Sequence, residues 1–156
     1  MLDHERLLRL AIAESRKARE AGHHPFASIL VGADGEVLMV QHNAVMPERD
    51  MTGHAERVLA TRASIAYSPE FLAGCTMYTS AEPCAMCTGA IYWAGFGRLV
   101  YGLSEHDMKA IIGKHRDNLT LDLPCRDVFG AGQRDVEVIG PLLAEEAAAV
   151  HEGAWR

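Results

Sequence analysis

The chain reads as an α/β domain in which helices cover both faces of a mixed sheet. Three observations predict this. Helical and strand periodicities follow one another in the order α-β-β-α-β-α-β-α-β-α, the alternation of layered α/β folds. The first two strands are joined closely enough to form a hairpin, whereas the later ones alternate with helices. No repeat, low-complexity tract or linker divides the 156 residues, so residues 1–156 are expected to form one domain.

Taken in order, Leu7, Leu10, Ala11, Ala18 and Ala21 share helical spacing between Asp3, an N-cap residue, and Gly22, a C′ residue. Phe26 to Val31 and Val37 to Gln41 flank Ala33-Asp34-Gly35 as a hairpin, and Asn43 to Asp50, with Pro47, is a loop. A helix is expected from near His54 to about Ala66, a strand over Cys75 to Thr79, and a turn at Ala81-Glu82-Pro83. The next helix runs from Cys84 to about Ala94 and is stopped by Gly95. Arg98 to Gly102 is a strand, Glu105 to Ile112 a short helix and Val136 to Ile139 the last strand, with a C-terminal helix over Leu142 to Trp155. Between them, Pro124, Gly130 and Gly132 predict irregular backbone over Lys114 to Arg134. A loop of that length in a compact domain is often functional.

The chemistry lies in His54-Ala55-Glu56 and Pro83-Cys84-Ala85-Met86-Cys87. One histidine and two cysteines hold a zinc ion while leaving its fourth tetrahedral position to water. Cys84 and Cys87 are three apart, so a helix starting at Pro83 puts both thiols on one face, where the helix dipole favours thiolates. His54 and Glu56 converge on one ion only at a helix N-terminus, an entry for which Thr52 supplies a cap and Gly53 an unusual backbone angle. Zinc with two thiolates and a neutral imidazole has no net charge, so its water is acidified less than at a three-histidine site. A neighbouring base is then needed, and Glu56 is placed to shuttle protons in the hydrolytic deamination of an amino-bearing sp² carbon. A closed, purely structural site needs a fourth protein ligand. Cys75, Cys125, His23, His24 and His42 are available, but none forms a second paired spacing.

Composition excludes several classes. The longest apolar runs are too short to cross a bilayer, and Met1-Leu2-Asp3-His4-Glu5-Arg6 has no signal-peptide character, so a cytoplasmic protein is expected. Fifteen basic against 21 acidic residues give a net charge of −6, which argues against a nucleic-acid partner, although Arg126, Arg134 and Arg156 are available for a local basic patch.

H-x-E…P-C-x-x-C is the signature of zinc deaminases. With Pro25-Phe26-Ala27, Asn43, Thr52-Gly53-His54-Ala55-Glu56 and Tyr78 to Cys87, the chain resembles the cytidine deaminase-like superfamily. Within it, the likeness is to the branch of guanine deaminases and tRNA-specific adenosine deaminases, and it runs from about Pro25 to Tyr101. The resemblance implies a three-layer α/β/α sandwich with a five-stranded mixed sheet, one catalytic zinc per subunit and a homodimer. Thr88-Gly89-Ala90-Ile91-Tyr92-Trp93-Ala94 and Phe26 look more like the guanine deaminases, and Asp107 matches the position of their base-contacting carboxylate. An acceptor-only group there would take guanine's N1–H and N2–H₂. The departures are Gly53 for the usual alanine, Met51 for the usual proline, and an end at Trp155-Arg156.

A free nucleobase, guanine first, is therefore the expected substrate, with cytosine and aminotriazines such as ammeline as related ones. The alternatives are deamination of a tRNA wobble adenosine and a catalytically silent zinc-scaffolded dimerisation module. Substrate contacts are expected from Phe26, Asn43, the backbone N–H groups of Ala55 and Cys84, Glu82, Trp93 and Asp107, with Glu105 or His106 able to replace Asp107. Each has a plainer role: core or interface for Phe26 and Trp93, turn residue for Asn43, helix cap for Asp107, and a bond to backbone donors for Glu82. Cys75 is expected to be inert core; Cys125 carries no assignment.

Overall fold

The structure, a computed structural model, describes residues 1–156. The chain runs α1 (His4–Glu20), β1 (Ala27–Val31), β2 (Val37–His42), α2 (Ala55–Ala66), α3 (Pro69–Leu72) and β3 (Thr76–Ala81). It continues through α4 (Ala85–Ala94), β4 (Arg98–Leu103), α5 (Glu105–Ile112), α6 (Cys125–Gly130), β5 (Glu137–Ile139) and α7 (Ala144–Ala149). The strands form one five-stranded sheet in the order β2-β1-β3-β4-β5. Strand β1 is antiparallel to β2 and β3, whereas β3, β4 and β5 are parallel, so the sheet is mixed as expected.

Strand alternation divides the core. Ile29, Val31, Tyr78 and Val100 face one way, into a cluster with Leu7, Leu8 and Ala11 of α1, Met108 of α5 and Ala147 of α7. Leu30, Met77, Leu99 and Tyr101 face the other way, against Leu59 and Ala63 of α2, Ile91 of α4 and Phe129 of α6. On α1 the buried stripe keeps Leu7, Ala11 and Ala18 of the expected one and adds Leu8 and Ile12, while Leu10 and Ala21 are exposed. Asp3 does cap α1, accepting from the Arg6 N–H at 3.1 Å.

Three features differ from the sequence expectation. Helix α3 breaks off after α2, capped by Ser68 with Pro69 in its first turn. Helix α6 lies inside the stretch expected to be irregular. It is short and has no side-chain N-cap of its own, but Cys125 and Phe129, four apart, are both buried, and the Glu82 carboxylate accepts its first N–H. The C-terminal helix is shorter than Leu142 to Trp155. After Ala149 the chain curls through i to i+3 bonds, His151 N–H to Ala148 and Ala154 N–H to His151, and Trp155 folds back over His24, Phe26 and His151.

That fold-back gives a pH-dependent stability. The Trp155 indole N–H donates to His151 Nδ1 at 3.0 Å, which requires a lone pair there and hence a neutral ring. Burial, with the Arg19 charge adding, lowers the His151 pKa to about 4 from its ordinary 6.5. Between those values the unfolded chain binds a proton that the folded chain refuses, so stability falls as pH falls from about 6.5 to 4 and is flat above. The expected loss is about 3 kcal/mol. Urea unfolding at pH 7 and pH 4.5 checks it: His151→Phe should lose less stability on acidification than wild type, and equal losses would refute the assignment.

Candidate active site

Two helix N-termini meet at the C-terminal edge of β3. His54 is the N-cap of α2, in extended conformation, and Glu56 is the second helical residue. Cys84 is the N-cap of α4, with Cys87 three residues on. Because α2 packs against α4, the ends of both helices reach one point. The left-handed Gly95 that ends α4 is the expected C-cap. Gly53 works differently from expectation. Its φ is not positive; instead a Cβ there would stand 2.6 Å from the Ala44 carbonyl oxygen, so the residue permits a close backbone approach. Nor does Thr52 cap α2, because its hydroxyl donates to Asp50 at 2.6 Å.

His54 Nδ1 lies 3.6 Å from Cys84 Sγ and 3.5 Å from Cys87 Sγ, and the two sulfurs are 3.6 Å apart. Tetrahedral zinc with ordinary bond lengths sets its ligands about 3.8 Å apart for two sulfurs and about 3.6 Å for sulfur and nitrogen. The donor set fits the ion. No fourth histidine, cysteine or carboxylate joins the cluster, which is the arrangement of an open, catalytic zinc site rather than a closed one. The thiols are poised to lose protons in turn. Hydrogen bonding from Cys87 lowers Cys84 to about 4, with His54 assisting against burial, while the Cys84 thiolate and burial hold Cys87 up. A dication takes the place of the protons that these groups share.

Glu56 is buried, and burial pushes its carboxyl up to about 7, His54 opposing and the negative charge of Cys84 adding. Both His54 and Glu56 face a cavity of about 400 Å³. Its wall includes Phe26, Asn43, Glu82, Cys84 and Glu105, and residues 116–119 with Leu121 close it from the loop after α5. Residues 1–103 match the cytidine and deoxycytidylate deaminase zinc-binding region. The chain belongs to that family.

Three comparisons describe its relatives. The deaminase is 42% identical over 150 residues to a probable cytosine deaminase of Schizosaccharomyces pombe, covering 95% of this chain and 90% of that one. It is 35% identical over 113 residues to a guanine deaminase of Bacillus subtilis, covering 72% and 71%. A mutant of the protein NE0047, solved in complex with 8-azaguanine, superposes with a TM-score of 0.81 at 26% identity, covering 96% and 83%.

Of the expected contacts of this deaminase, Phe26, Asn43, Glu82 and Cys84 lie on the cavity wall, and Ala55, Trp93 and Asp107 do not. Phe26 lines the cavity and is backed by His151 and Trp155, with ring centroids 5.2 and 5.9 Å away. Asn43 is buried there; its Oδ1 accepts the Val45 N–H at 3.2 Å, which leaves its amide N–H₂ uncommitted. Ala55 is buried as the first residue of α2, so its N–H has no partner within the helix. Glu82 lines the cavity, yet both its oxygens are occupied, accepting the N–H groups of Glu105 and Cys125 at 2.8 Å each.

Trp93 lies away from the cavity and is 83% exposed, because Cys87, Ile91 and Ala94 form the buried side of α4. Asp107 is also outside. Ser104 caps α5 by accepting the Asp107 N–H, which turns Glu105 and Met108 inward and leaves His106 and Asp107 exposed. Sequence reasoning missed His24, Val45, Met51 and the 116–121 stretch as cavity walls. Only the last of these had a signal, the length of the irregular segment. Cys75 and Cys125 are buried thiols outside the metal cluster.

Proposed function

We propose that this deaminase acts on free nucleobases, with guanine as its first substrate and xanthine and ammonia as products. The size of the cavity carries the reading. At about 400 Å³ it lies toward the small end of ligand pockets, roughly 300–1,000 Å³, and its roof comes from the same chain. A single base fits such a space, and an enzyme that flips its base out of an RNA would add a basic rim for the strand. Two arginines available for a basic patch are occupied elsewhere: Arg126 donates to the Tyr101 hydroxyl and the Gly140 carbonyl, and Arg134 to the carbonyls of Phe96 and Tyr92. Guanine comes first because Glu105 offers the wall a carboxylate with no protein donor on it, and the guanine edge carries N1–H and N2–H₂ donors.

His54, Cys84 and Cys87 would hold the zinc, which when bound supplies the Lewis acid that acidifies a water. Glu56 takes a proton from that water and delivers it to the ring nitrogen beside the amino-bearing carbon, N3 in guanine. It then carries the water's second proton to the departing amine. The water oxygen stays on carbon, the C–N bond breaks and ammonia leaves. Phe26 offers a ring to the base and Asn43 an N–H₂ donor to a carbonyl or ring nitrogen.

Cytosine is the second reading, favoured by the 42% identity to the probable cytosine deaminase over almost the whole chain. An ammonia-release panel of guanine, cytosine, adenine, ammeline, their available nucleosides and an anticodon stem-loop decides. Guanine should be fastest by at least tenfold. Cytosine ahead by that margin selects the second reading, and a nucleoside or stem-loop ahead of every free base sinks both.

Two chains are inferred to associate, as the family resemblance implies, covering the exposed Trp93 beside Tyr92 on α4. Sedimentation should find a dimer for wild type and a monomer for Trp93→Glu; a monomeric wild type removes the inference.

A further inference from the structure

The roof of the cavity has little to hold it. Residues 114–123 contain no helix or strand, and their own backbone bonds are local, Asn118 N–H to His115 and Leu123 N–H to Leu121. Leu119, Leu121 and Leu123 are exposed rather than packed into the core. Side chains tie the segment outward through Asp122, which meets His106 at 3.1 Å and Lys109 at 3.7 Å, and through Asp117, 3.9 Å from His24. Ion pairs of this exposed kind hold weakly. The helices on either side of the roof, however, both start on one side chain. Glu105 opens α5 and Cys125 opens α6, and their backbone N–H groups donate to the two oxygens of Glu82 at 2.8 Å each. First-turn N–H groups have no partner within their own helix. Glu82 is itself fixed: it is buried, its N–H reaches the Leu103 carbonyl, and Pro83 and the metal ligand Cys84 follow it.

With both oxygens committed, Glu82 acts through what it holds. We infer that Glu82 is a positioning residue: its carboxylate fixes the starts of α5 and α6, and with them the roof between, against the turn that carries Cys84, and so sets how tightly the closed cavity keeps its substrate. The inference rests on the reading of this cavity as the substrate site of the deaminase. A carboxylate suits the task because it only accepts, with one oxygen for each N–H. Glutamine in its place keeps the shape but offers one acceptor, and its N–H₂ is turned against the other backbone N–H. One helix start is then released and the roof spends less time closed, which weakens binding in proportion. The reacting groups stand on other elements, His54 and Glu56 at the start of α2 and Cys84 and Cys87 at the start of α4, so turnover of bound substrate suffers less.

The test is the steady-state kinetics of Glu82→Gln on whichever member of the ammonia-release panel wild type deaminates fastest. KM should rise about tenfold while kcat falls by less than about threefold, with the zinc content of wild type. A merely structural role predicts the opposite split, a smaller active fraction and so a lower kcat at unchanged KM. That result overturns the inference, and so does loss of zinc, which would assign Glu82 to the metal turn alone. Amide hydrogen exchange reads the roof without turnover: residues 114–123 should exchange about tenfold faster in Glu82→Gln while β3 and β4 keep their wild-type rates. Equal acceleration everywhere, or none in the roof, overturns it. A third measurement leaves position 82 intact. Coupling is reciprocal, so saturating the zinc-loaded Glu56→Ala protein with the same substrate should slow exchange of the Glu105 and Cys125 amides by about tenfold. Unchanged rates there refute the coupling. Failure of the free-base reading shows separately, as a panel led by a nucleoside or by the stem-loop.

Discussion

Glu56→Ala should abolish ammonia release, by between about 10² and 10⁴-fold, while the protein keeps its zinc and its fold. The side chain is buried in the first turn of α2 and faces the cavity beside the metal ligands, yet it belongs to none of the ligand pairs. The charge count makes it necessary. Two thiolates and an imidazole leave a zinc centre with no net charge, so the water is a weaker acid than at a three-histidine site and needs a base within reach. Metal content by atomic absorption and ammonia release are the paired measurements. Retained zinc with lost activity assigns Glu56 to the proton transfers, and a variant as fast as wild type removes it from them. The experiment also separates an enzyme from a silent zinc-scaffolded dimerisation module, for which removing Glu56 costs nothing measurable in function.

How much was readable in the sequence follows the range of the interactions involved. The metal site is local twice over: His54 stands at one helix N-terminus and Cys84 and Cys87 within one turn of another, so the motif spacing located all three. The five strands and the helices other than α3 and α6 were also readable, since each carries its own periodicity. Contacts outside the motifs depend on register. Asp107 and Glu105 are two residues apart, and the Ser104 cap decides which of them turns inward. On α4 the residues are apolar or small nearly all round, which leaves the sequence without a sign for the side on which Trp93 stands. The roof of the cavity is set by contacts across the chain. Trp155 meets His115 with ring centroids 5.3 Å apart, and Asp117 approaches His24 at 3.9 Å, pairs no local pattern announces. Helix α6 was hidden for the same reason, because the acceptor for its first N–H is Glu82, 43 residues earlier.

Removing the zinc should lower the melting temperature by about 10 °C as well as ending activity. The ligands do structural work because they tie the N-termini of α2 and α4, two helices otherwise held by side-chain packing over Leu59, Ala63 and Ile91. A ligand bound to the folded chain alone, at 1,000 times its dissociation constant, stabilises by about 4 kcal/mol. For a chain of this length each kcal/mol moves the midpoint by about 2–4 °C. Without the ion, the Cys84 thiolate keeps a negative charge that only the Cys87 thiol and His54 answer. Calorimetric melting of the chelator-treated and zinc-restored protein measures the shift, and Cys87→Ser should melt near the chelated wild type whether or not zinc is added. Chelated and restored proteins that melt within about 2 °C of each other would mean that the two helix ends are held by the sheet alone, and the metal would then be a catalytic group without a share in stability.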